Sequence, residues 1–328
     1  MPTNDFLAFA SGAGANVTAQ SDYAAMTTLG SGFLSGTAQS AQVNKVLRQA
    51  SIMSAVLAQF SVDLTGSNAV DDGTTASLLA TLKAAVSAQS VGVVGTSRNA
   101  KMYIATAGTT GAFTAEEVIL ETALGGQRYC LANVSDTFNL TTDMDTGTAP
   151  VSGFVALYKL YNPTTKASIR RIVNATSAIA PEIYAGAAPP AGYTVSALVA
   201  VMPTNASGQF PVCSLADRTV YFAPKAAATI GTFPANFLGY SVASAIPPKA
   251  KDMGFIFTYN NGSTGVTMGF DVAADTNGLG QASFVTQYSA ANTSSNARVP
   301  IVTPQTVCVK GSGSGSPTFQ INATSYSF

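Results

Sequence analysis

The residues that could do chemistry in this 328-residue chain are mainly carboxylates, because the sequence contains no histidine. Histidine is the side chain that most often transfers protons near neutral pH, and it is the commonest transition-metal ligand. Its absence excludes a Ser-His or Cys-His nucleophile. The remaining catalytic option is a pair among the 16 acidic residues, as in glycosidases that cut polysaccharide.

Two acidic clusters in the first half of the chain have a spacing that could support a site. Glu116, Glu117 and Glu121 lie in a segment that fits a helical turn or a strand, where a solvated face is the favoured interpretation. Asp143 and Asp145 lie in a turn-like segment, and hard oxygen ligands of this kind suit Ca²⁺. Because an isolated D-x-D is common in loops, we predict structural roles for both clusters.

A third cluster contains Asp271, Asp275 and Asn277, which also suggests calcium. The spacing fails as an EF-hand loop because Ala273 stands where that loop needs an oxygen ligand. The glycine motifs that bind phosphates or dinucleotides do not occur in their required setting. We therefore predict no catalytic residue, no metal site and no cofactor.

The three cysteines, Cys130, Cys213 and Cys308, are far apart and odd in number. Because this spacing fits neither a disulfide framework nor a zinc site, we predict small core residues in a protein assembled in reducing cytoplasm. The first residues lack the basic and apolar regions of a secretion signal, so release by lysis is the expected exit. No stretch offers the roughly 18 apolar residues of a membrane span, which predicts no membrane insertion.

The composition favours a folded protein with a weakly charged surface. Hydrophobic residues make up 47% of the chain and charged residues only 10%, against roughly 25% charged in ordinary soluble domains. The exterior must therefore carry hydroxyl and amide groups or be covered by other subunits. The 16 basic and 16 acidic residues cancel, and Arg170-Arg171 is too short a basic run to collect phosphate contacts. We predict no nucleic-acid partner.

The elements that must position these residues begin with a long amphipathic helix. Apolar residues recur at intervals of three and four from residue 40 to residue 64, which predicts a helix with one apolar stripe. Two interpretations stay open: the stripe packs on its own domain, or it forms the core of a three-helix bundle between subunits. The stripe residues are Val43, Val46, Leu47, Ala50, Met53, Leu57, Phe60 and Leu64.

A second helix is predicted after cap residues at 71–74, and a glycine-containing connector at 91–96 ends this region. We assign the helical domain to residues 1–92. Beyond it, short strands separated by Gly, Pro and Asn turns predict β-sandwich or jelly-roll-like modules. These modules are assigned to residues 93–234 and 235–328, with one continuous domain as the alternative. The predicted fold class is mainly β with an N-terminal α-helical region.

Two predicted strands, residues 154–161 and 195–202, are apolar on both alternating faces. Strands of this kind are buried on two sides. We therefore expect them to be central in a sandwich or to be covered by a neighbouring subunit.

Two β-hairpins are predicted in the last quarter of the chain. Residues 255–259 and 266–272 alternate in polarity around an Asn-Gly turn. Residues 307–310 and 319–326 form another candidate pair, separated by a flexible Gly-Ser loop.

Candidate binding residues lie in neutral polar loops. Asn, Ser, Thr and Tyr side chains can hydrogen-bond sugar hydroxyls, and aromatic rings stack on the apolar faces of sugars. Ordinary turn residues are the competing interpretation for each loop, and the absence of Trp weakens the carbohydrate hypothesis. The candidates are Tyr184, Asn260, Asn261, Tyr288, Asn292 and Asn296.

A series of motifs, in order along the chain, resembles bacteriophage tail-fibre proteins. The resemblance begins with NDFLAFA at residues 4–10, GAGANV at 12–17 and SAQVNKVLRQ at 40–49. It covers most of the chain, and the ordered series is far more specific than any one motif. The later motifs are residues 122–126, 144–150, 153–158, 161–165, 190–194 and 303–306, and the aromatic end near Phe328.

This resemblance implies a homotrimer on the phage tail or baseplate, with the N-terminal part attached to the virion and the C-terminal β part facing outward. We therefore expect a non-enzymatic tail fibre or spike that is assembled in the host cytoplasm and binds a receptor during adsorption. The expected partners are its own copies, other tail or baseplate proteins, and a host surface glycan or outer-membrane protein. Two alternatives stay open: a virion adaptor or capsid decoration protein without receptor binding, and a surface-polysaccharide hydrolase that uses a carboxylate pair.

Overall fold

The chain forms two compact units, Met1–Val91 and Gly92–Phe328. The first contains the helices and the second contains the strands, which confirms a mainly β protein with an N-terminal helical region. The computed structural model describes residues 2–33, 39–88, 92–260, 268–286, 293–314 and 317–328.

The helical unit is built around one long helix. Its helices are α1 (Gln20–Ala24), α2 (Thr28–Ser31), α3 (Ser40–Thr65) and α4 (Ala76–Ala88). The predicted periodicity corresponds to α3. This helix ends at Gly66, which has a left-handed φ of 67° and donates its N–H to the Val62 carbonyl at 2.9 Å. Before α4, the Asp72 carboxylate accepts hydrogen bonds from the N–H and the hydroxyl of Thr74, which orders the turn that leads into this helix.

One side of α3 is covered by the N-terminal segment and by α4. Asn4 donates through Nδ2 to the Ala55 carbonyl at 3.1 Å, and the Phe9 N–H donates to Ser51 Oγ at 2.9 Å. The covered side of α3 includes small residues such as Ser51 and Ala55. The buried core residues here are Ala58, Val62 and Ala69, with Phe6 and Leu78 packed against them.

The β unit contains two antiparallel sheets. The strands are β1 (Ser97–Arg98), β2 (Lys101–Ile104), β3 (Thr110–Glu121), β4 (Arg128–Asn139), β5 (Phe154–Tyr161), β6 (Ser168–Asn174), β7 (Val195–Pro203), β8 (Cys213–Ala216), β9 (Thr219–Ile230), β10 (Leu238–Ser241), β11 (Asp252–Asn260), β12 (Met268–Ala273), β13 (Ala282–Thr286), β14 (Thr293–Pro300), β15 (Thr306–Ser312) and β16 (Thr318–Ser327). Among the described residues, the large sheet has the order β14-β11-β16-β9-β8-β2-β3-β7-β5-β6, with β1 and β4 also paired to β3. The small sheet has the order β10-β15-β12-β13.

The two strands predicted to be buried on both faces are β5 and β7, and they are buried along almost their whole length. They pair with each other near one end of the large sheet. Strand β16 of the same sheet packs across them through Tyr326. The Tyr326 hydroxyl donates a hydrogen bond to the Val201 carbonyl at 2.7 Å. The Tyr326 ring also meets the Phe154 ring edge to face, with centroids 6.0 Å apart. Their cover therefore comes from the same chain.

The small sheet packs against the β11–β16 part of the large sheet through aromatic rings. Phe270 of β12 stacks on Phe319 of β16 with centroids 4.2 Å apart. Phe284 of β13 contacts Phe257 of β11 with centroids 3.7 Å apart. These rings join the two sheets into one apolar core.

Both predicted hairpins are wrong. Strand β11 pairs with β14 and β16, whereas β12 pairs with β13 and β15. Strand β15 pairs with β10 and β12, whereas β16 pairs with β9 and β11. Each predicted pair is therefore divided between the two sheets, because alternation determines which side of a strand is buried but does not determine its partner. Residues 261–267 and 315–316, in the two predicted connections, lie outside the described residues.

The predicted boundary at residues 234–235 falls between β9 and β10. Strands from both sides of it share the large sheet, since β9 pairs with β16 from Thr219↔Ser327 to Ile230↔Phe319. Residues Gly92–Phe328 form one compact unit.

Candidate functional site

The acidic residues of β3 differ in burial and in hydrogen-bond partners. Glu121 is 2% exposed. One oxygen of its carboxylate accepts a hydrogen bond from Arg128 Nε at 3.0 Å, and the other accepts one from the Gly125 N–H at 3.0 Å. Glu116 and Glu117 are exposed on the same strand. The cation and the amide that hold Glu121 give it a structural role in the β3–β4 turn.

A buried charge network joins β4, β5 and β6. Lys159 Nζ lies 2.6 Å from Asp136 Oδ2, and both side chains are almost completely buried. Arg170 lies 3.6 Å from Asp136 and 3.3 Å from Asp143. Two carboxylates and two cations thus compensate one another within the fold. The sequence analysis missed this network, although a lysine inside an apolar strand signals a buried acidic partner.

Asp145 belongs to a different network from Asp143. Its carboxylate accepts a hydrogen bond from the Tyr184 hydroxyl, and it also accepts the N–H groups of Ala187 at 2.7 Å and Ala188 at 3.2 Å. Burial, together with the hydrogen bond to Asp145, raises the pKa of the Tyr184 hydroxyl, which therefore remains a donor at neutral pH. The two aspartates accept bonds from separate sets of donors and do not converge on a shared ion site.

In the third acidic cluster, Asp275 is hydrogen-bonded within its own turn. Asp275 accepts hydrogen bonds from the Leu279 N–H at 2.9 Å and from the Asn277 side-chain amide at 3.0 Å, and these bonds lower its pKa. Its carboxylate therefore orders the turn after β12. Across the described ranges, His, Cys, Asp and Glu side chains form no group of three or more that could hold a metal ion.

The candidate receptor-facing residues are spread over several elements. Tyr184 is half-buried, and its ring meets Tyr158 with centroids 5.5 Å apart. Asn260 is the last residue of β11, and Asn296 is exposed on the adjacent strand β14. The remaining candidates, Asn261, Tyr288 and Asn292, lie outside the described residues.

The predicted stripe on α3 lies on the surface of its unit. Met53 is 58% exposed and Leu57 is 49% exposed. Val46, Leu47, Ala50 and Phe60 are exposed as well, whereas Val43 and Leu64 are half-buried. The side covered by the N-terminal segment and α4 contains smaller or polar residues. Most of the larger apolar side chains of this helix are therefore exposed, although Leu57 also borders a groove lined by Phe6, Leu78 and Leu82.

The β unit has a pocket of about 470 Å³ that the sequence analysis did not find. Its walls come from the turn before β5, the segment after β7 and the middle of β9. Pro203, Pro211 and Pro224 line it, whereas the sequence analysis used prolines only as markers of the turns between strands. Spacing alone does not show that these three prolines border one pocket.

No family model and no curated protein matches this chain. Among solved structures, one match is the isomalto-dextranase of Arthrobacter globiformis T6 complexed with panose, at 12% identity and a TM-score of 0.19. The match covers 82% of this chain, and the chain spans 47% of that structure's length. A TM-score this low carries no argument about fold or activity. Within the described residues, no helix has the length and apolar content needed to cross a membrane.

Proposed function

We propose that the chain is a structural subunit of a bacteriophage tail, a short trimeric fibre or spike that attaches to the virion and contacts the host surface. The observation that carries this proposal is the outward apolar stripe of α3. The phage context rests on the ordered motifs that resemble tail-fibre proteins. The chain order of helix followed by strands agrees with attachment through the helical unit and contact through the β unit.

The stripe supports assembly with other copies of the chain. At 1.5 Å per residue, a 26-residue helix is about 39 Å long, so a bundle along it would cover a continuous seam. Intervals of three and four between apolar residues suit the knobs-into-holes contacts of a helical bundle. The choice of three copies comes from the resemblance.

The β unit supports contact with a surface. Its two sheets supply a rigid, aromatic core, and we interpret them as sandwich or jelly-roll-like modules. The whole chain has a formal net charge of zero at pH 7 and is 10% charged. A neutral surface rich in hydroxyls and amides suits recognition of a host glycan or an outer-membrane protein by hydrogen bonding. The proposed location is the virion after assembly in the host cytoplasm.

The hydrolase alternative receives little support from the acidic clusters. Glu121, Asp136, Asp143 and Asp145 are each held by cations or by hydrogen-bond donors of the fold. A glycosidase needs two carboxylates that flank a substrate bond at a set separation. The adaptor or decoration alternative shares the assembly surface and differs only in lacking a host ligand.

The proposal is tested by mass and by cell binding. Light scattering of the purified chain at micromolar concentration should give about three times the 33.3 kDa subunit mass. The same protein should bind susceptible bacteria and not a resistant derivative of the same strain. A 33.3 kDa particle would contradict the trimer, and equal binding to both strains would contradict receptor recognition.

A further inference from the structure

The 470 Å³ pocket of the β unit has the construction of a ligand site. Its size lies within the range of small-molecule pockets, roughly 300–1,000 Å³. Most of its lining is apolar, and it includes Val212 and Phe222. A ring-shaped ligand of one or two sugar units has a suitable size and an apolar face to set against this wall.

Hydrogen bonds hold the pocket loops in place. Thr204, which is 2% exposed, donates from Oγ1 to the Pro150 carbonyl at 2.6 Å and accepts the Gly153 N–H at 3.0 Å. Asn205 accepts the N–H groups of Ser207 and Gln209 through Oδ1, at 2.9 and 3.0 Å. Two loops are thus fixed to each other before any ligand arrives, which lowers the entropic cost of binding.

An irregularity in β9 forms the opposite wall. Tyr221 pairs with Ser325 and Lys225 pairs with Ala323, so three residues of β9 face Thr324 alone. Bulges of this kind redirect side chains and occur often beside functional sites. The bulge residues, Phe222, Ala223 and Pro224, all line the pocket, as does Lys225. Phe222 is held from behind by the Tyr326 ring, with centroids 5.8 Å apart.

The pocket carries one charge. Lys225 is the ionisable residue among those that line it, and neither Asp nor Glu contributes to the wall. Within the described residues, no carboxylate lies within ion-pair distance of its amine. The Lys225 residue is exposed at the edge of the pocket, and desolvation by the surrounding atoms lowers the pKa of its amine. An anionic ligand would supply a counter-charge.

Two neutral polar groups complete the lining. The Ser152 hydroxyl and the Asn205 Nδ2 amide have no hydrogen-bond partner among the described residues. Ser152 belongs to the turn before β5, and its backbone N–H is bonded to the Asn205 carbonyl at 2.9 Å. A ligand with several hydroxyls and one carboxylate could satisfy the amine, the amide and the hydroxyl together.

We propose that this pocket binds an acidic sugar unit, a hexuronate, of a host surface polysaccharide, with its carboxylate at Lys225 and its apolar ring face against Phe222 and Val212. This inference rests on the proposed function and deepens it, because it names the ligand class and the binding pocket. A fatty acid would make no hydrogen bond to the amide and the hydroxyl, and a neutral sugar would make no charge-assisted bond to the amine.

Calorimetric or NMR titration of the full chain with methyl glucuronoside and with methyl glucoside tests the pocket. The two ligands differ only in the carboxylate, and we expect the glucuronoside to bind at least about tenfold more tightly because it adds a charge-assisted hydrogen bond. Lys225→Gln should remove this preference. Val212→Asp, at a position that is 51% exposed, should weaken the glucuronoside because it places a like charge beside the ligand.

Lys166→Gln provides the matched control, since Lys166 is an exposed lysine of the β5–β6 turn and does not line the pocket. It should keep the preference for the glucuronoside. Circular dichroism would verify that each variant has the native spectrum. Equal affinity for both glycosides in the unchanged protein, or an unchanged preference in Lys225→Gln, would overturn the proposal.

Binding to bacteria separates this inference from the proposed function. Wild-type protein that binds susceptible cells but shows no preference for the glucuronoside would refute the pocket assignment and leave the fibre function standing. Wild-type protein that prefers the glucuronoside but binds no cells would refute host contact and leave the pocket assignment standing.

Discussion

The two units of this protein place their large apolar side chains in opposite ways. In the helical unit, Met53 and Leu47 of α3 are 58% and 48% exposed, and smaller residues such as Ala58 face the rest of the unit. In the β unit, Leu157 and Leu198 of the central strands are completely buried, and the cover comes from the same chain. The β unit is thus satisfied by its own fold, whereas the helical unit is left with an uncovered seam.

This difference suggests a division of labour within the proposed fibre. A surface that a single chain leaves apolar favours association, because burial of that surface releases water. A unit that buries its own apolar core folds without a partner, so its surface is free to bind a ligand. Within the proposed function, α3 would therefore mediate assembly, and the β unit with its pocket would contact the ligand.

The largest expected effect comes from a charge in the uncovered seam. Met53→Asp should convert the trimer into single chains at micromolar concentration. Each copy would place an unpaired carboxylate in the shared core, so assembly should weaken by at least about 1,000-fold, which corresponds to about 4 kcal/mol. Light scattering measures the mass, and circular dichroism checks that the helices persist.

Leu124→Asp is the control for this change. Leu124 is 73% exposed in the turn between β3 and β4, so the same kind of substitution is made in the other unit. Its mass should stay at the trimer value. A trimer that survives Met53→Asp would show that the α3 stripe is not the contact between copies.

A smaller effect is expected in the β unit, where the contacts are internal. Among the described residues, Lys159→Met leaves the more distant Arg170, at 3.6 Å, as the one cation beside the buried Asp136 carboxylate. Breaking a buried ion pair costs roughly 3–5 kcal/mol, and we expect about 3 kcal/mol because Arg170 remains. Tyrosine fluorescence during chemical unfolding measures this cost, since every tyrosine except Tyr23 lies in the β unit.

Arg98→Met is the matched control, because Arg98 forms an exposed ion pair with Glu117 at 3.8 Å. An exposed pair of this kind contributes about 0–1 kcal/mol. A similar loss for both variants would show that burial does not distinguish the two pairs. The trimer mass should not change in either variant if assembly resides in α3.

Periodicity predicted the elements of this fold far better than their partners. The apolar stripe of α3 and the two-sided burial of β5 and β7 follow from local patterns, because a residue's side of a helix or strand depends on near neighbours. The stripe left two interpretations open, packing on its own domain or a bundle between subunits, because the covered side of α3 at Ala58 and Val62 depends on the N-terminal segment and α4. That packing involves residues tens of positions away in the sequence.

The candidate site in the β unit could not be predicted for a similar reason. Ser152 and Lys225 are more than 70 residues apart along the chain, and β7 and the irregular β9 bring them, with Val212, to one pocket. The two wrong hairpins have the same origin. Alternation predicted β11, β12, β15 and β16 as strands. It did not predict that Phe270 and Phe319 stack on each other from opposite sheets, because this contact leaves no pattern among neighbouring residues.

The smallest predicted effect tests whether a hydrogen bond from β16 contributes to holding it over the central strands β5 and β7. Tyr326→Phe removes the hydroxyl that donates to the Val201 carbonyl at 2.7 Å and keeps the ring contacts with Phe154 and Phe222. We expect a loss of about 1–1.5 kcal/mol in the unfolding free energy of the β unit, because a buried hydrogen bond is lost and little else changes. Tyr221→Phe is the control, since that side chain is 48% exposed and its hydroxyl has no partner within the described residues, so a change below about 0.5 kcal/mol is expected. Equal effects from the two substitutions would mean that apolar contact alone holds β16 over β5 and β7. The cover of these strands would then depend on apolar burial without a specific hydrogen bond, as the proposed contact along α3 does.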